Sequence, residues 1–196
     1  DRRGLYTYDI ISKKYNEIFT HPRVDIGLGA VAVDDANQVV GVRVDDAYPA
    51  AVILKNVESD LKNAFMEIQK SYPYEQFFVT SSSEDKKKLI VYMTSDINPG
   101  TYFLYDRDQS KFTPLARSWS KIDYQDLNQM IAYDFNNRDG VPIQAFLTQA
   151  KNKSNKKTII YPHGGPWARD YWGFEPTAQF LAENNFNVIQ MNIRGS

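Results

Sequence analysis

The sequence predicts a mixed fold: antiparallel β-structure over residues 1–118, then the opening of a parallel βαβ arrangement over residues 119–196. Two observations carry this. Four short β-rich runs, separated by polar or Pro-Gly turns, follow one another between Gln76 and Leu115. Further on, a β-rich run, a loop, a helical stretch and a second β-rich run lie in that order between Thr158 and Ile193, which is the pattern of a parallel sheet.

The first residues read as β-structure with turns. Leu5 to Asp9 alternates apolar and polar residues, Ser12-Lys13-Lys14 turns the chain, and Tyr15 to Thr20 returns, a hairpin. Ala30 to Val33 and Val39 to Val44 flank the polar tip Asp34-Asp35-Ala36-Asn37, and Ala50 to Leu54 is a further strand. A helix follows: Leu61, Phe65, Ile68 and Tyr72 recur at helical spacing, with Asn56 or Ser59 as N-cap and Pro73 as its end. Such a stripe usually packs on neighbouring strands; a partner-binding helix is the alternative.

The four runs are Gln76 to Thr80, Lys88 to Thr94, Thr101 to Asp106 and Lys111 to Leu115. Four antiparallel strands in ~40 residues have the size of one propeller blade. Residues 4–20 and 29–54 fit as parts of preceding blades. Leu5-Tyr6-Thr7-Tyr8-Asp9 and Tyr102-Phe103-Leu104-Tyr105-Asp106 form a weak internal repeat, each followed by a polar turn and a strand.

The texture changes after Trp119. Ile131 to Phe135 and Val141 to Leu147 flank a turn ending in Asp139-Gly140, one of the stronger hairpin signals. Lys151 to Lys157 is a solvated loop. Thr158-Ile159-Ile160-Tyr161 is predicted to be a strand buried on both faces. A helix starts at Pro176, a residue suited to a first turn, and Asn187 to Ile193 is the next buried strand.

Composition narrows the function classes. The 23 Lys and Arg against 24 Asp and Glu leave a net charge of −1, with no basic footprint for nucleic acid or a membrane surface. The absence of cysteine excludes disulfides and thiol catalysis, and fits a cytoplasmic or a periplasmic home equally well. No apolar run approaches the ~18 residues of a membrane span, and Asp1-Arg2-Arg3 leads straight into a strand rather than a signal peptide. Two histidines, His21 and His163, cannot build a multi-histidine metal site, so neither metal nor cofactor is expected. His21, beside Pro22, reads as a loop residue, and the acidic pairs Asp34-Asp35 and Asp45-Asp46 sit at turns or strand ends.

Chemistry concentrates in Pro162-His163-Gly164-Gly165-Pro166-Trp167, between the first parallel strand and its helix. Ligands bind at the carboxyl ends of parallel strands, and glycine lets a main-chain N–H approach them closely. A Gly-Gly pair also serves as a plain tight turn. A His-Gly-Gly loop at this place, however, is one half of the oxyanion hole of α/β-hydrolases, whose donors stabilise a tetrahedral intermediate.

His163-Gly164-Gly165-Pro166-Trp167-Ala168-Arg169-Asp170, Trp172-Gly173-Phe174 and Asn192-Ile193-Arg194-Gly195-Ser196 together resemble the hydrolase opening of the prolyl oligopeptidase family of serine peptidases, closest to its acylaminoacyl-peptidase-like branch. Arg138-Asp139-Gly140 resembles the first hairpin of that catalytic domain, and Pro99 to Asp106 its last propeller blade. The resemblance implies the C-terminal blades of a β-propeller in residues 1–118 and the incomplete N-terminal part of an α/β-hydrolase domain in 119–196. It makes the Gly165 N–H an oxyanion donor. His163, Gly164 and Pro166 become loop-shaping residues, and Trp167 a substrate-side residue. The implied substrate is a short or acylated peptide, cleaved through an acyl-enzyme, with the propeller restricting access.

No Gly-x-Ser-x-Gly elbow occurs in the chain, so the nucleophile, acid and base are expected outside this stretch. Two alternatives stand beside the peptidase: an esterase or lipase, which also uses a His-Gly-Gly loop but needs no propeller, and a non-catalytic propeller scaffold. An apolar edge at Val188 to Ile193, left without a neighbour, is expected to promote self-association.

Overall fold

The computed structural model describes residues 2–27, 31–34, 36–54, 60–152, 157–165 and 167–196. They fall into two compact units, Asp1–Pro73 and Tyr74–Ser196.

In the first unit, β1 (Leu5–Asp9) and β2 (Lys14–Phe19) form the expected antiparallel hairpin. Its turn closes because Asp9 Oδ1 accepts from the Ser12 N–H at 2.7 Å and Lys13 takes a left-handed φ of 55°. Tyr8 and Tyr15 lie opposite each other in register, with ring centroids 4.8 Å apart. A second antiparallel sheet runs β3 (Val31–Val33), β4 (Val39–Asp45), β5 (Pro49–Ile53). Its first turn is held by Asp34 Oδ1, which accepts from the N–H groups of Ala36 and Gln38, and by Asn37 at φ 59°. Val42 and Val44 pack with Val24 and Ile26 in this unit's core.

Helix α1 (Asp60–Ser71) buries Ala64 and Ile68, whereas Leu61, Phe65 and Tyr72 are only partly covered. Ile68 of the predicted stripe is fully buried, and the small Ala64 is buried with it where the helix lies on β4 and β5. The predicted caps Asn56 and Ser59, like Asp35 and residues 153–156 of the lysine-rich loop, lie outside the described residues.

The second unit opens with an antiparallel meander, β6 (Gln76–Ser82), β7 (Lys88–Thr94), β8 (Thr101–Asp106) and β9 (Lys111–Arg117), a propeller-blade-like sheet in sequence order. Leu89, Val91 and Met93 point to one side of β7 and are buried, the period-2 burial of a half-covered strand. At the β7–β8 turn, Asn98 Oδ1 accepts from the Gly100 N–H and from Thr101 Oγ1. Gly100 has φ +136°, and a Cβ there would collide with the Tyr92 ring, so only glycine fits.

A single 3₁₀ turn at Tyr124–Asp126 leads into a four-stranded mixed sheet of β10 (Met130–Asn136), β11 (Pro142–Thr148), β12 (Thr158–Ile160) and β13 (Asn187–Asn192), with α2 (Pro176–Glu183) between β12 and β13. The strand order is β10-β11-β13-β12, and only β12 and β13 run parallel. The Asp139-Gly140 turn forms as predicted: Asn137 Oδ1 accepts from the Asp139 and Val141 N–H groups, and Gly140 sits at φ +76°.

Two expectations are corrected here. The run from Val188 is not an open edge, because β13 pairs with β11 on one side and β12 on the other. The outer strands are β10 and β12. Nor is β12 buried on both faces, since Ile160 is 52% exposed.

Candidate active-site loop

The structure builds the His-Gly-Gly loop on the sheet by polar contacts. Along β13, Val188, Gln190 and Asn192 face inward, so two of the three inward positions are amides rather than hydrocarbons. Those amides grip the segment that follows the loop. Asn192 Oδ1 accepts from the Asp170 N–H at 2.7 Å, and Asn192 Nδ2 donates to the Asp170 carbonyl and to Gln144 Oε1. Gln190 Nε2 donates to Asp170 Oδ1 at 3.1 Å, and Arg169 donates to Gln144 Oε1 at 2.7 Å. The Arg169 guanidinium also stacks over Tyr171, 5.0 Å from its centroid.

Trp172-Gly173-Phe174 is a docking element rather than a chemical one. Trp172 Nε1 donates to the Met130 carbonyl at 2.7 Å, and the Phe174 ring lies 5.7 Å from that of Trp119. These contacts fix the start of β10 and the approach to α2. Glu175 caps that helix, accepting from the Ala178 N–H at 2.6 Å, and Pro176 follows in its first turn.

Within the loop the two glycines differ. Gly165 adopts φ +144°, and an added Cβ would lie 3.0 Å from the Ala168 nitrogen and 3.2 Å from the Ala168 Cβ. Gly164 is outside the left-handed region, and a Cβ there would meet nothing within 4 Å. Among the described residues no hydrogen bond uses the Gly165 N–H. Trp167 is 91% exposed, and Pro166 lies outside the described residues.

His163 is partly buried and bonded through both ring nitrogens: Nδ1 lies 2.8 Å from the Gly164 carbonyl oxygen and Nε2 lies 2.8 Å from Ser196 Oγ. The segment from Arg194 is tied back as well, with Arg194 paired to Asp139 in the β10–β11 turn and the Ser196 N–H donating to the Ile193 carbonyl. Sequence reasoning gave Arg194-Gly195-Ser196 no chemistry, quoted Asp170 only as part of the motif, and assigned nothing to Gln190 and Gln144. The available signal was two polar residues at alternate positions of an otherwise apolar strand. His21, by contrast, is a loop residue: its Nδ1 accepts from the Arg23 and Val24 N–H groups.

Burial pushes the Asp170 carboxyl above its ordinary range, against the Gln190 hydrogen bond and the nearby His163, while Glu175 adds in the same direction as burial. Asp170 Oδ2 and Gln190 Oε1 are both buried without a hydrogen-bond partner among the described residues. A carboxyl with a higher pKa in the folded chain holds more protons when folded, so stability falls as pH rises from the usual Asp range through the raised value. Asp170→Asn is expected to flatten the melting-temperature profile as pH rises out of the usual aspartate range, with stability at neutral pH equal to or above that of the wild type. A profile with the wild-type slope would contradict this. Burial raises Glu75 and Asp96 too, so part of the slope remains.

Among the described residues no group of three His, Cys, Asp or Glu is arranged to hold a metal, and no helix is long and apolar enough to cross a membrane.

No protein-family model matches the chain. Dipeptidyl aminopeptidase BIII of Pseudoxanthomonas mexicana is 27% identical over 213 aligned residues, covering 100% of this chain and 30% of that protein. Dipeptidyl peptidase family member 6 of Caenorhabditis elegans is 30% identical over 141 residues, 60% of this chain and 19% of that protein. The chain thus spans less than a third of the length of these curated relatives. Among solved structures, prolyl oligopeptidase B from Galerina marginata, bound to a 25mer macrocyclization substrate, aligns with 98% of this chain and 27% of its own at a TM-score of 0.64. At 15% identity that likeness shows a shared fold. The homologues of the chain are serine peptidases of the prolyl-oligopeptidase and acylaminoacyl-peptidase superfamily.

Proposed function

We propose that this chain supplies the closing blades of a propeller, residues 1–118, and the opening of a serine-peptidase domain, residues 119–196, in which the Gly165 N–H is an oxyanion donor. The observation that carries the reading is Gly165 itself. It stands in a loop at the carboxyl end of β12, with a backbone only glycine adopts easily and an N–H that no described residue uses. The relatives' activity supports acyl transfer to water as the reaction, and short or acylated peptides as the substrate class, in the acylaminoacyl-peptidase-like branch.

The blade-like sheet favours a peptidase over an esterase or lipase. It is joined to the mixed sheet by buried polar contacts: the Met130 N–H donates to Asp96 Oδ2 at 2.7 Å, and Gln179 Nε2 donates to the Asp96 carbonyl. Such a joint sets the position of a propeller blade relative to the loop, as access control requires. The loop leaves Trp167 free to lie against a substrate side chain.

A donor without a nucleophile does no chemistry. A fluorophosphonate probe is therefore expected to label no serine within residues 1–196, and to label one serine outside them in the full-length peptidase. Covalent labelling of any serine of this stretch would overturn the assignment.

A further inference from the structure

We propose that His163 is a positioning residue: its ring, held by Ser196, fixes the plane of the Gly164–Gly165 peptide and so the direction of the Gly165 N–H. The inference rests on the reading of Gly165 as an oxyanion donor. A carbonyl oxygen only accepts, so the 2.8 Å contact to Gly164 requires the hydrogen to be on Nδ1. In the neutral ring Nε2 is then the acceptor, and the Ser196 hydroxyl donates to it across 2.8 Å.

The Gly164–Gly165 peptide is trans, and its C=O and N–H point in opposite directions within one rigid plane. Fixing the oxygen therefore aims the hydrogen. The restraint matters because two successive glycines leave that plane otherwise free to rotate. A hydrogen bond accepted by the carbonyl also polarises the peptide and strengthens its N–H as a donor. Ser196 is held in turn by the Ile193 carbonyl and by the Arg194–Asp139 pair beside it. The Arg-Gly-Ser segment thus acts on the loop through one imidazole.

The two histidines of the chain provide an internal contrast. His21 accepts through Nδ1 and must carry its hydrogen on Nε2, the opposite tautomer. Long-range proton–nitrogen correlation on the histidine-labelled 196-residue chain is expected to show His163 with its hydrogen on Nδ1 and His21 with its hydrogen on Nε2. Ser196→Ala should weaken the His163 preference and move the Gly165 amide resonance. His163 in the same tautomer as His21, or an unmoved Gly165 amide, would overturn the proposal.

A kinetic arm separates positioning from mere packing. In the full-length peptidase, His163→Leu is expected to lower kcat roughly 10- to 100-fold, a part of the full cost of an oxyanion donor, with KM little changed. His163→Asn, whose amide puts a donor near the place of Nδ1, is expected to recover most of that loss. Equal losses in both variants, or a change in KM alone, would contradict the proposal. A wild-type protein without acyl-transfer activity would overturn the oxyanion reading, while the tautomer and the Gly165 amide shift still decide whether His163 sets the peptide plane.

Discussion

Gly165→Ala is expected to lower kcat about 100- to 1000-fold in a peptidase carrying this stretch, the cost of losing one oxyanion donor, ~2.7–4 kcal/mol. At φ +144° an L-residue is strained, and its Cβ would press on the backbone nitrogen of Ala168 at 3.0 Å. Backbone cannot swing aside as a flexible side chain can, so the peptide must rotate and its N–H lose its aim. Gly164→Ala is the matched control. A Cβ there meets nothing within 4 Å, so this variant should keep most of kcat. If Gly165→Ala raised KM and left kcat unchanged, the loop would only bind substrate and the donor role would have to be abandoned.

Gln179→Leu is expected to destabilise the unit from Tyr74 to Ser196 by about 2–4 kcal/mol, because it strands buried backbone groups. Gln179 is 5% exposed on α2. Its Oε1 accepts from the Asn128 N–H at 2.8 Å, and its Nε2 donates to the carbonyls of Asn128 at 2.7 Å and Asp96 at 3.1 Å. Leucine fills similar space but pairs none of these. The neighbouring Phe180, 67% exposed, is the control: Phe180→Ala should stay within about 0.5 kcal/mol. Urea unfolding decides the matter. A Gln179→Leu midpoint no lower than that of Phe180→Ala would show that the joint is not held by this amide.

Local elements were legible in the sequence, and pairings between distant ones were not. The hairpins at Leu5–Phe19 and Met130–Thr148 announced themselves because alternation and turn residues are neighbours in the chain. The place of β13 between β11 and β12 was not readable. Phe146 pairs with Gln190 and Ile159 with Val188, and such long-range choices leave no mark on local periodicity. Gln179 was missed for a similar reason, since its partners lie 51 and 83 residues away. In α1 the stripe found Ile68, which is fully buried, and missed Ala64, whose small side chain carries little hydrophobic signal yet is buried too.

The candidate site shows the same division. His163 to Trp167 are consecutive, so the loop could be found from sequence, and its glycines suggested a backbone role. The contact from His163 to Ser196 spans 33 residues and depends on β13 delivering Ser196 beside β12's loop. Asp170, Gln190, Asn192 and Gln144 form one polar set only after β11 and β13 are paired. A strand reading that expects hydrocarbon at every inward position overlooks them.

The proposed donor role requires the Gly165 N–H to meet the oxyanion. It is tested by the structure of the full-length protein with a peptide boronate bound to the proposed nucleophile, a stable mimic of the tetrahedral intermediate. The Gly165 nitrogen is expected about 2.7–3.1 Å from the boronate oxygen that takes the oxyanion position, with the His163 ring on the Gly164 carbonyl behind it. An adduct whose oxyanion oxygen is met by other donors, with the Gly165 N–H turned away, would contradict it.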